Sequence, residues 1–349
     1  MPFLDNAWYL AAWSSELGDQ PLGRIIAGRH IVIFRQAEGT LCAVGNRCPH
    51  RFAPLHLGKV VGNAIECPYH GLRFGADGHC VFNPHGTGKI PAAAKVPGYP
   101  LVERHRGVWL WLGEAELADP GLIPDYSFLD DCPASALVVH LMETEGNYQL
   151  LLDNLLDLSH VDYLHVGSLS AGNFATTLPE VREAGTSVHA DWWMGNSPVP
   201  PTTAQSMNLS GPDIRLDQWL EVRWDAPCNL VLRAGATEPG TVREAGIDTL
   251  SLHALTPATE TSTHYFFANT RNFRVDDAAM TALMKEIVAN QFNGEDKPMI
   301  EAQQRMMGTA DLFSLKPVLL PQDGAAVRVR RKLEQMIKAE KTRPAAVGG

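Results

Sequence analysis

A chain of 349 residues, 45% hydrophobic and 19% charged, is long enough for two domains with sizeable cores. Its formal net charge of −10 argues against a nucleic-acid partner, which would want a basic face. No run of apolar residues is long enough to cross a membrane, and the opening MPFLDNAWYLAAWSSELGD lacks the basic start of a secretory signal; a cytoplasmic protein is expected.

The first 112 residues read as β-rich, with short β-branched or aromatic runs at HIVIFR (30–35), TLCAVG (40–45), HCVFN (79–83) and VWLWLG (108–113). Turn signals such as AEG, ADG and NPHGTG separate them, a pattern that predicts a small sandwich or barrel. From Glu114 to Pro133 the chain turns acidic and proline-bearing, as a connection would. We therefore expect a domain over 1–115, a linker over 116–135 and a second domain over 136–349. The second domain opens with a helical pattern in NYQLLLDNLLDLSHVDYLH (147–165). Strand-like runs follow in SVHADWWMG, WLEVRWDA, NLVLRAGA, TLSLHALTP and THYFFANTRNF. A long helical segment comes next, with Asp276 and Asp277 in its first turn, then a basic amphipathic helix in AAVRVRRKLEQMIKAEK whose charge is expected on a solvated face. The final PAAVGG is expected to fray. Of six cysteines, those at 42, 80, 132 and 228 are scattered and read as buried free thiols.

Cys48 and Cys67 differ from the rest. CPHRFAPLHLGKVVGNAIECPYH sets out Cys-x-His, sixteen residues, then Cys-x-x-His, so Cys48, His50, Cys67 and His70 are candidate metal ligands. A Cys2His2 zinc module is the structural alternative, but such modules often place their histidines on a helix. Here each pair sits in a Gly/Pro-rich turn within a β-rich region. Two loops that each give one thiolate and one imidazole suit a two-iron centre, with both thiolates on one iron and both imidazoles on the other. CPHR…CPYHGLRF resembles the Rieske [2Fe–2S] motif of ring-hydroxylating and demethylating oxygenases. Respiratory Rieske proteins are similar but carry an extra cysteine in each loop and a serine near the second. Arg51–Leu55 lacks the cysteine here, and Leu72 follows Gly71. Fewer hydrogen bonds to the cluster sulfurs imply a low potential, suited to feeding electrons to an iron–oxygen centre.

An acceptor is then expected in the second domain. DNLLDLSHVDYLH supplies Asp153, Asn154, Asp157, His160 and His165. On a helix Asp157 and His160 share a face, whereas His165 lies about 140° round from His160. Both histidines reach one ion only if the helix ends or distorts between them. With a carboxylate from elsewhere they make a facial triad; Asp296 in NGEDKPMIEAQ is the candidate and Glu295 the runner-up. DNLLDLSHVDYLH resembles the mononuclear-iron motif of Rieske oxygenases. That resemblance implies His160, His165 and Asp296 as ligands of an Fe(II). It also implies Asp157 as the bridge that carries electrons between subunits, accepting hydrogen bonds from His160 and from a neighbour's His70.

The likeness extends along nearly the whole chain, through NAWYLAAWSSELGDQPLGRIIAG, LADPGLIPD, LTPATETSTHYFFANTRNF and EDKPMIEAQQ. It is to the Rieske non-heme iron oxygenases of the vanillate O-demethylase and dicamba monooxygenase type. The resemblance implies an α+β protein: an N-terminal β-rich Rieske [2Fe-2S] domain plus a C-terminal helix-grip catalytic domain of antiparallel sheet with helices. It implies a head-to-tail homotrimer in aromatic compound catabolism, with O2 as cosubstrate and NADH through a separate flavin reductase, with or without a ferredoxin. The expected reaction is O-demethylation of a methoxylated aromatic, an aromatic acid in first place. Aryl-methyl hydroxylation and ring dihydroxylation are the alternatives, and a bare electron carrier or zinc module the non-enzymatic one. His253 matches a substrate-anchoring histidine of the dicamba enzyme. Leu232 and Ile287 stand where that enzyme has polar or aromatic anchors, and with Phe292 they imply an apolar wall. Asn154 completes the expected substrate-contacting set.

Overall fold

The computed structural model describes residues 3–211 and 213–342, so the PAAVGG end lies outside the described residues. The chain divides into two compact units: residues up to 125 together with 256–259, and residues 126–255 together with those from 260 onward.

The N-terminal unit is built from three small antiparallel sheets. Trp8–Trp13, Gly107–Trp111 and Leu101–Arg104 form one. Leu22–Ile26, Arg29–Arg35, Leu41–Gly45 and Gly98–Tyr99 form the second. Lys59–Val61, Ala64–Glu66, Arg73–Phe74 and Cys80–Phe82 form the third. All four expected runs fall on strands. Between the second and third sheets lies a core of Val32, Phe34, Val44, Leu55, Ile65 and Phe74. Cys48 and Cys67 belong to that core, so the hydrophobic effect fixes the roots of both cysteine loops.

The stretch expected as a linker is ordered. It carries short helical turns at Ala115–Leu117, Pro120–Leu122 and Phe128–Asp131, and it buries Ile123, Tyr126 and Leu129. Acidic and proline residues mark the turns, while one apolar residue in every three provides the anchorage that composition alone conceals.

The C-terminal unit is a seven-stranded sheet. Its spatial order is Val138–Thr144, Ser262–Arg271, Ile247–Thr259, Asn229–Thr237, Arg215–Asp225, Ser187–Pro198 and Glu180–Ala184. Adjacent strands hydrogen-bond, and after the first strand the chain meanders through the other six, the last of which comes to lie beside the first. All five strand-like runs of the sequence lie in this sheet, whereas its two edge strands, Val138–Thr144 and Glu180–Ala184, carry no such signal: their patterns are short and interrupted by charge.

The helical stretch at 147–165 is three pieces. Tyr148–Leu156 is a helix capped by the Asn147 side chain on the Gln149 N–H, and it ends at Asp157 in extended conformation. A 3-10 turn, Leu158–His160, and a short helix, Val161–Leu164, follow. The later helical segment runs as predicted but changes pitch: Ala278–Val288 is α, Ala289–Asp296 is π and Lys297–Met307 is α again. Asp277 is the N-cap of that segment, accepting from Ala279 and Met280 N–H, rather than a member of its first turn.

The Gly324–Thr342 helix packs on Tyr148–Leu156. Its charge is not all solvated, because Arg330 turns inward and bonds both carboxylate oxygens of Asp153 and Oε1 of Gln149. Among the described residues no helix is long and apolar enough to cross a membrane.

Candidate metal centres and substrate pocket

The two cysteine loops are copies of one another in hydrogen bonding. In the first, Cys48 N–H donates to Ala53 O and Phe52 N–H to Cys48 O; in the second, Cys67 N–H donates to Leu72 O and Gly71 N–H to Cys67 O. Each pattern requires a left-handed residue at its fourth position, met by Phe52 (φ 59°) and Gly71 (φ 72°). A Cβ on Gly71 would stand 3.2 Å from Pro84, so glycine also relieves a close approach.

The loops place two thiols at the core and two imidazoles at the rim. Cys48 and Cys67 are buried, and burial, reinforced by Cys67, pushes the Cys48 thiol up to about 11. His50 and His70 meet at the surface with ring centroids 4.4 Å apart. Among the described residues these four atoms do not close on a point that would suit a single ion. A sulfur pair inside and a nitrogen pair outside fit a two-iron cluster and misfit a tetrahedral zinc. His85 supports the outer pair by a hydrogen bond from its ring to the His70 carbonyl at 2.8 Å.

In the C-terminal unit one trio does converge. Ligand atoms of His160, His165 and Asp296 lie within 4.8 Å of one another, with Asp296 Oδ1 3.7 Å from His160 Nε2 and 3.3 Å from His165 Nε2. His160 closes a 3-10 turn and His165 stands just past the short helix that ends at Leu164, so both imidazoles aim the same way, which a continuous helix does not do. Asp296 arrives from the end of the π-helical stretch.

The tautomers follow from the partners. His160 Nδ1 lies 2.6 Å from the main-chain oxygen of Asp157, which can only accept, so the proton is on Nδ1 and the Nε2 lone pair faces Asp296. His165 Nδ1 donates to Glu295 Oε2 at 2.5 Å with the same result. Such outer partners orient ligand imidazoles and raise their basicity. Burial lowers the pKa of His160 and keeps it neutral. Burial acts the same way on His165, but Asp296 and Glu295 outweigh it and raise its pKa. An imidazole between two carboxylates draws a cation, and two nitrogens with one buried carboxylate fit a ferrous ion.

Two expectations change here. The carboxylate of Asp157 does not bond His160; it caps the 3-10 turn by accepting from Ser159 N–H at 2.9 Å, while its carbonyl serves the histidine. The cause is the extended backbone at Asp157, which turns the side chain away from the helix face that an unbroken helix would share. Glu295 is one layer outside the trio, holding His165 rather than replacing Asp296.

A cavity of about 240 Å³ opens beside the trio, just below the roughly 300–1,000 Å³ usual for ligand pockets. Leu232, Ile287, Phe292 and Asn154 line it as expected, and Asn154 Nδ2 donates to Asp296 Oδ1 at 3.2 Å. His253 does not. It shares a strand face with the lining residues Ile247 and Thr249 but stands farther along, behind Phe292 at 5.9 Å between ring centroids. There it shares a 2.5 Å hydrogen bond with the Tyr265 hydroxyl, and burial lowers its pKa to about 3. Gln291 and Arg330 were not singled out by the sequence, and Glu295 only as an alternative ligand. The π pitch and the inward turn of a basic helix place them, and neither follows from residue spacing.

Comparison with known proteins gives two family matches. Residues 7–100 match the Rieske [2Fe-2S] domain, and residues 144–339 match the vanillate O-demethylase oxygenase C-terminal domain. The chain is 42% identical, over 97% of each protein, to the chloroacetanilide N-alkylformylase oxygenase component of Rhizorhabdus wittichii. It is 38% identical, over 97% of this chain and 99% of the relative, to the dicamba O-demethylase oxygenase component of Stenotrophomonas maltophilia. The crystal structure of dicamba monooxygenase with 3,6-dichlorosalicylic acid superposes with a TM-score of 0.92 at 36% identity, covering 98% of this chain and 100% of that one. Another structure of that enzyme holds non-heme iron and dicamba.

Proposed function

The chain belongs to the Rieske oxygenases with a vanillate O-demethylase-type catalytic domain, and we propose that it removes an alkyl group from the oxygen or nitrogen of a small aromatic compound. Cys48, His50, Cys67 and His70 would hold a [2Fe–2S] cluster, and His160, His165 and Asp296 a ferrous ion. When bound, the cluster supplies electrons singly and the ferrous ion supplies dioxygen activation. The observation that carries this reading is the convergence of His160, His165 and Asp296 on the wall of a partly open, mainly apolar pocket.

The chain's own residues have definable tasks. Asp157 O and Glu295 keep the Nε2 lone pairs of His160 and His165 free and aligned. Asn154 holds the Asp296 carboxylate by its amide. Leu232, Ile287 and Phe292 exclude water and press the ring of the substrate towards the trio, so that an alkyl C–H is the group presented. Overall, an aryl methyl ether, O2, NADH and a proton give a phenol, formaldehyde, water and NAD+. Hydroxylation of the alkyl carbon gives a hemiacetal, or a hemiaminal for an N-alkyl substrate, which collapses to the aldehyde. NADH enters through a separate reductase, with or without a ferredoxin. Six free, buried cysteines suit a reducing compartment, which we take to be the cytoplasm.

The working assembly is a ring of three copies. Asp157 lies in a groove walled by Leu164, Met299, Phe313, Val318 and Leu319, and Val318 is 88% exposed. The cluster loops present Phe52 (66% exposed) and Tyr69 (65% exposed) beside His50 and His70. An apolar groove at one redox residue and an apolar tip at the other are complementary faces for a second copy of this chain.

A screen of O-methyl and N-alkyl aromatics with metal-loaded protein, NADH and a generic Rieske reductase tests the reaction. The expected products are formaldehyde, or the matching aldehyde, with a phenol or aniline. A cis-dihydrodiol would assign ring dihydroxylation instead, and a colourless protein that binds stoichiometric zinc would remove the oxygenase reading altogether.

A further inference from the structure

The polar side chains of the pocket are nearly all committed to the protein. Asn154 donates to Asp296, Gln218 to Ser197 and Pro198, Thr202 to Ser168 O, Ser206 to Thr202 O and Thr249 to Ala234 O. Gln291 is different. It is 5% exposed, lines the same cavity, and its enclosed Oε1 has no hydrogen-bond partner among the described residues. Buried polar atoms are normally paired, so an unpaired one at a cavity marks where a ligand supplies the partner.

Its placement follows from helix pitch. Ile287 lies in the last α-helical turn, Gln291 four residues on in the π-helical stretch, and Asp296 five further at its end. Both spacings bring residues to a common face, so Ile287, Gln291 and Asp296 all line the cavity. The lining also lacks any Lys or Arg among the described residues; apart from the candidate ligands it is uncharged. A substrate carboxylate buried here would meet no cationic side chain, which is costly.

Resting on the oxygenase reading above, we propose that Gln291 is the polar contact that orients the substrate. The pocket accordingly takes an uncharged aromatic bearing a hydrogen-bonding group that both donates and accepts, an amide in first place, rather than the aromatic acid expected from sequence. A side-chain amide offers one donor and one acceptor face, and a substrate amide complements both. The apolar wall of Leu232, Ile287 and Phe292 holds the ring.

Calorimetric titration of the metal-loaded protein under anaerobic conditions tests this without turnover. The probes are alkoxybenzamides, matching alkoxybenzoates and unsubstituted anisole, against wild type and Gln291→Leu. We expect at least one benzamide to bind about tenfold or more tightly than its benzoate. Gln291→Leu should weaken that benzamide about five- to tenfold, the loss of one hydrogen bond, and leave anisole within about twofold. Benzoates that bind as well as benzamides, no benzamide that binds, or an unchanged benzamide affinity in the variant would each overturn the proposal. So would a parallel loss of anisole binding, which makes Gln291 a packing residue. The two readings fail separately. Gln291-dependent binding without aldehyde release sinks the reaction, whereas aldehyde release from acids and amides alike, indifferent to Gln291, sinks this inference alone.

Discussion

Glu295 touches no atom of the trio's ligand face, yet it fixes which nitrogen of His165 is free. Removing such an outer carboxylate typically weakens metal affinity about 10- to 100-fold. Glu295→Leu should therefore lose mononuclear iron in that range while it keeps the visible spectrum of the cluster. Glu295→Gln, which retains an acceptor without the charge, should fall between the variant and wild type. Iron titration with the cluster spectrum as internal control decides it, and equal iron affinity in all three proteins would remove the orienting role. His253 gives a second residue-level expectation. Its folded pKa of about 3 lies below the ordinary value near 6.5, so on acidification the unfolded chain takes up a proton that the folded one refuses. Stability is therefore full above about pH 6.5 and is lost as pH falls toward 3, by about 2 kcal/mol at pH 5 from this group. The drop in Tm between pH 7 and pH 5 should shrink in His253→Gln, and an unchanged drop would show that His253 is not the group responsible.

At the scale of elements, the π-helical stretch Ala289–Asp296 sets the phase between the pocket wall and the iron ligand. Deleting the exposed, uncrowded Gly294 would let α pitch close up and carry Asp296 about 100° round the axis. The expected protein is folded and coloured but empty at the mononuclear site; full iron content after the deletion would mean that the π pitch is incidental. The Gly324–Thr342 helix makes a similar claim through Arg330, whose bonds to Asp153 and Gln149 tie it to the helix that leads into His160. Burial raises the Asp153 pKa and Arg330 opposes that shift. Arg330→Met should lower the Tm by leaving the part-buried Asp153 carboxylate unpaired, at a cost below the ~3–5 kcal/mol of a fully buried pair. These elements also show what was legible beforehand. Cys48, His50, Cys67 and His70 stand in local turns whose spacing is written in the chain, and the sheet runs carry their β-branched pattern openly. The His160–His165 pair demanded that the helix end or distort, and the short helix does stop at Leu164 with His165 outside it, while a second break stands earlier at Asp157. Periodicity assumes a constant pitch, so it missed both that break and the π turn that brings Gln291 into the pocket.

At the scale of the whole molecule, the ring proposed above has electrons pass between copies. In the proposed ring of three, the groove beside Asp157 receives the exposed tip around His50 and His70 of the next copy. Two inactive variants separate this from transfer within one chain. Cys67→Ser removes a cluster ligand and leaves the trio intact, whereas Asp296→Ala does the reverse. Neither should turn over by itself. If they are unfolded and refolded together in equal amounts and assemble at random into threes, a protomer is active when it keeps its trio and its cluster-donating neighbour keeps its cysteines. Each condition holds half the time, so the mixture should recover about a quarter of wild-type activity. Transfer within a chain recovers none, because no single chain carries both centres. Asp157→Asn on the trio-competent partner should abolish the recovery while both metals stay bound, because the carboxylate facing the groove is then gone without any change in ligands. Recovery that survives this substitution would keep the ring but move the electron path elsewhere on the groove.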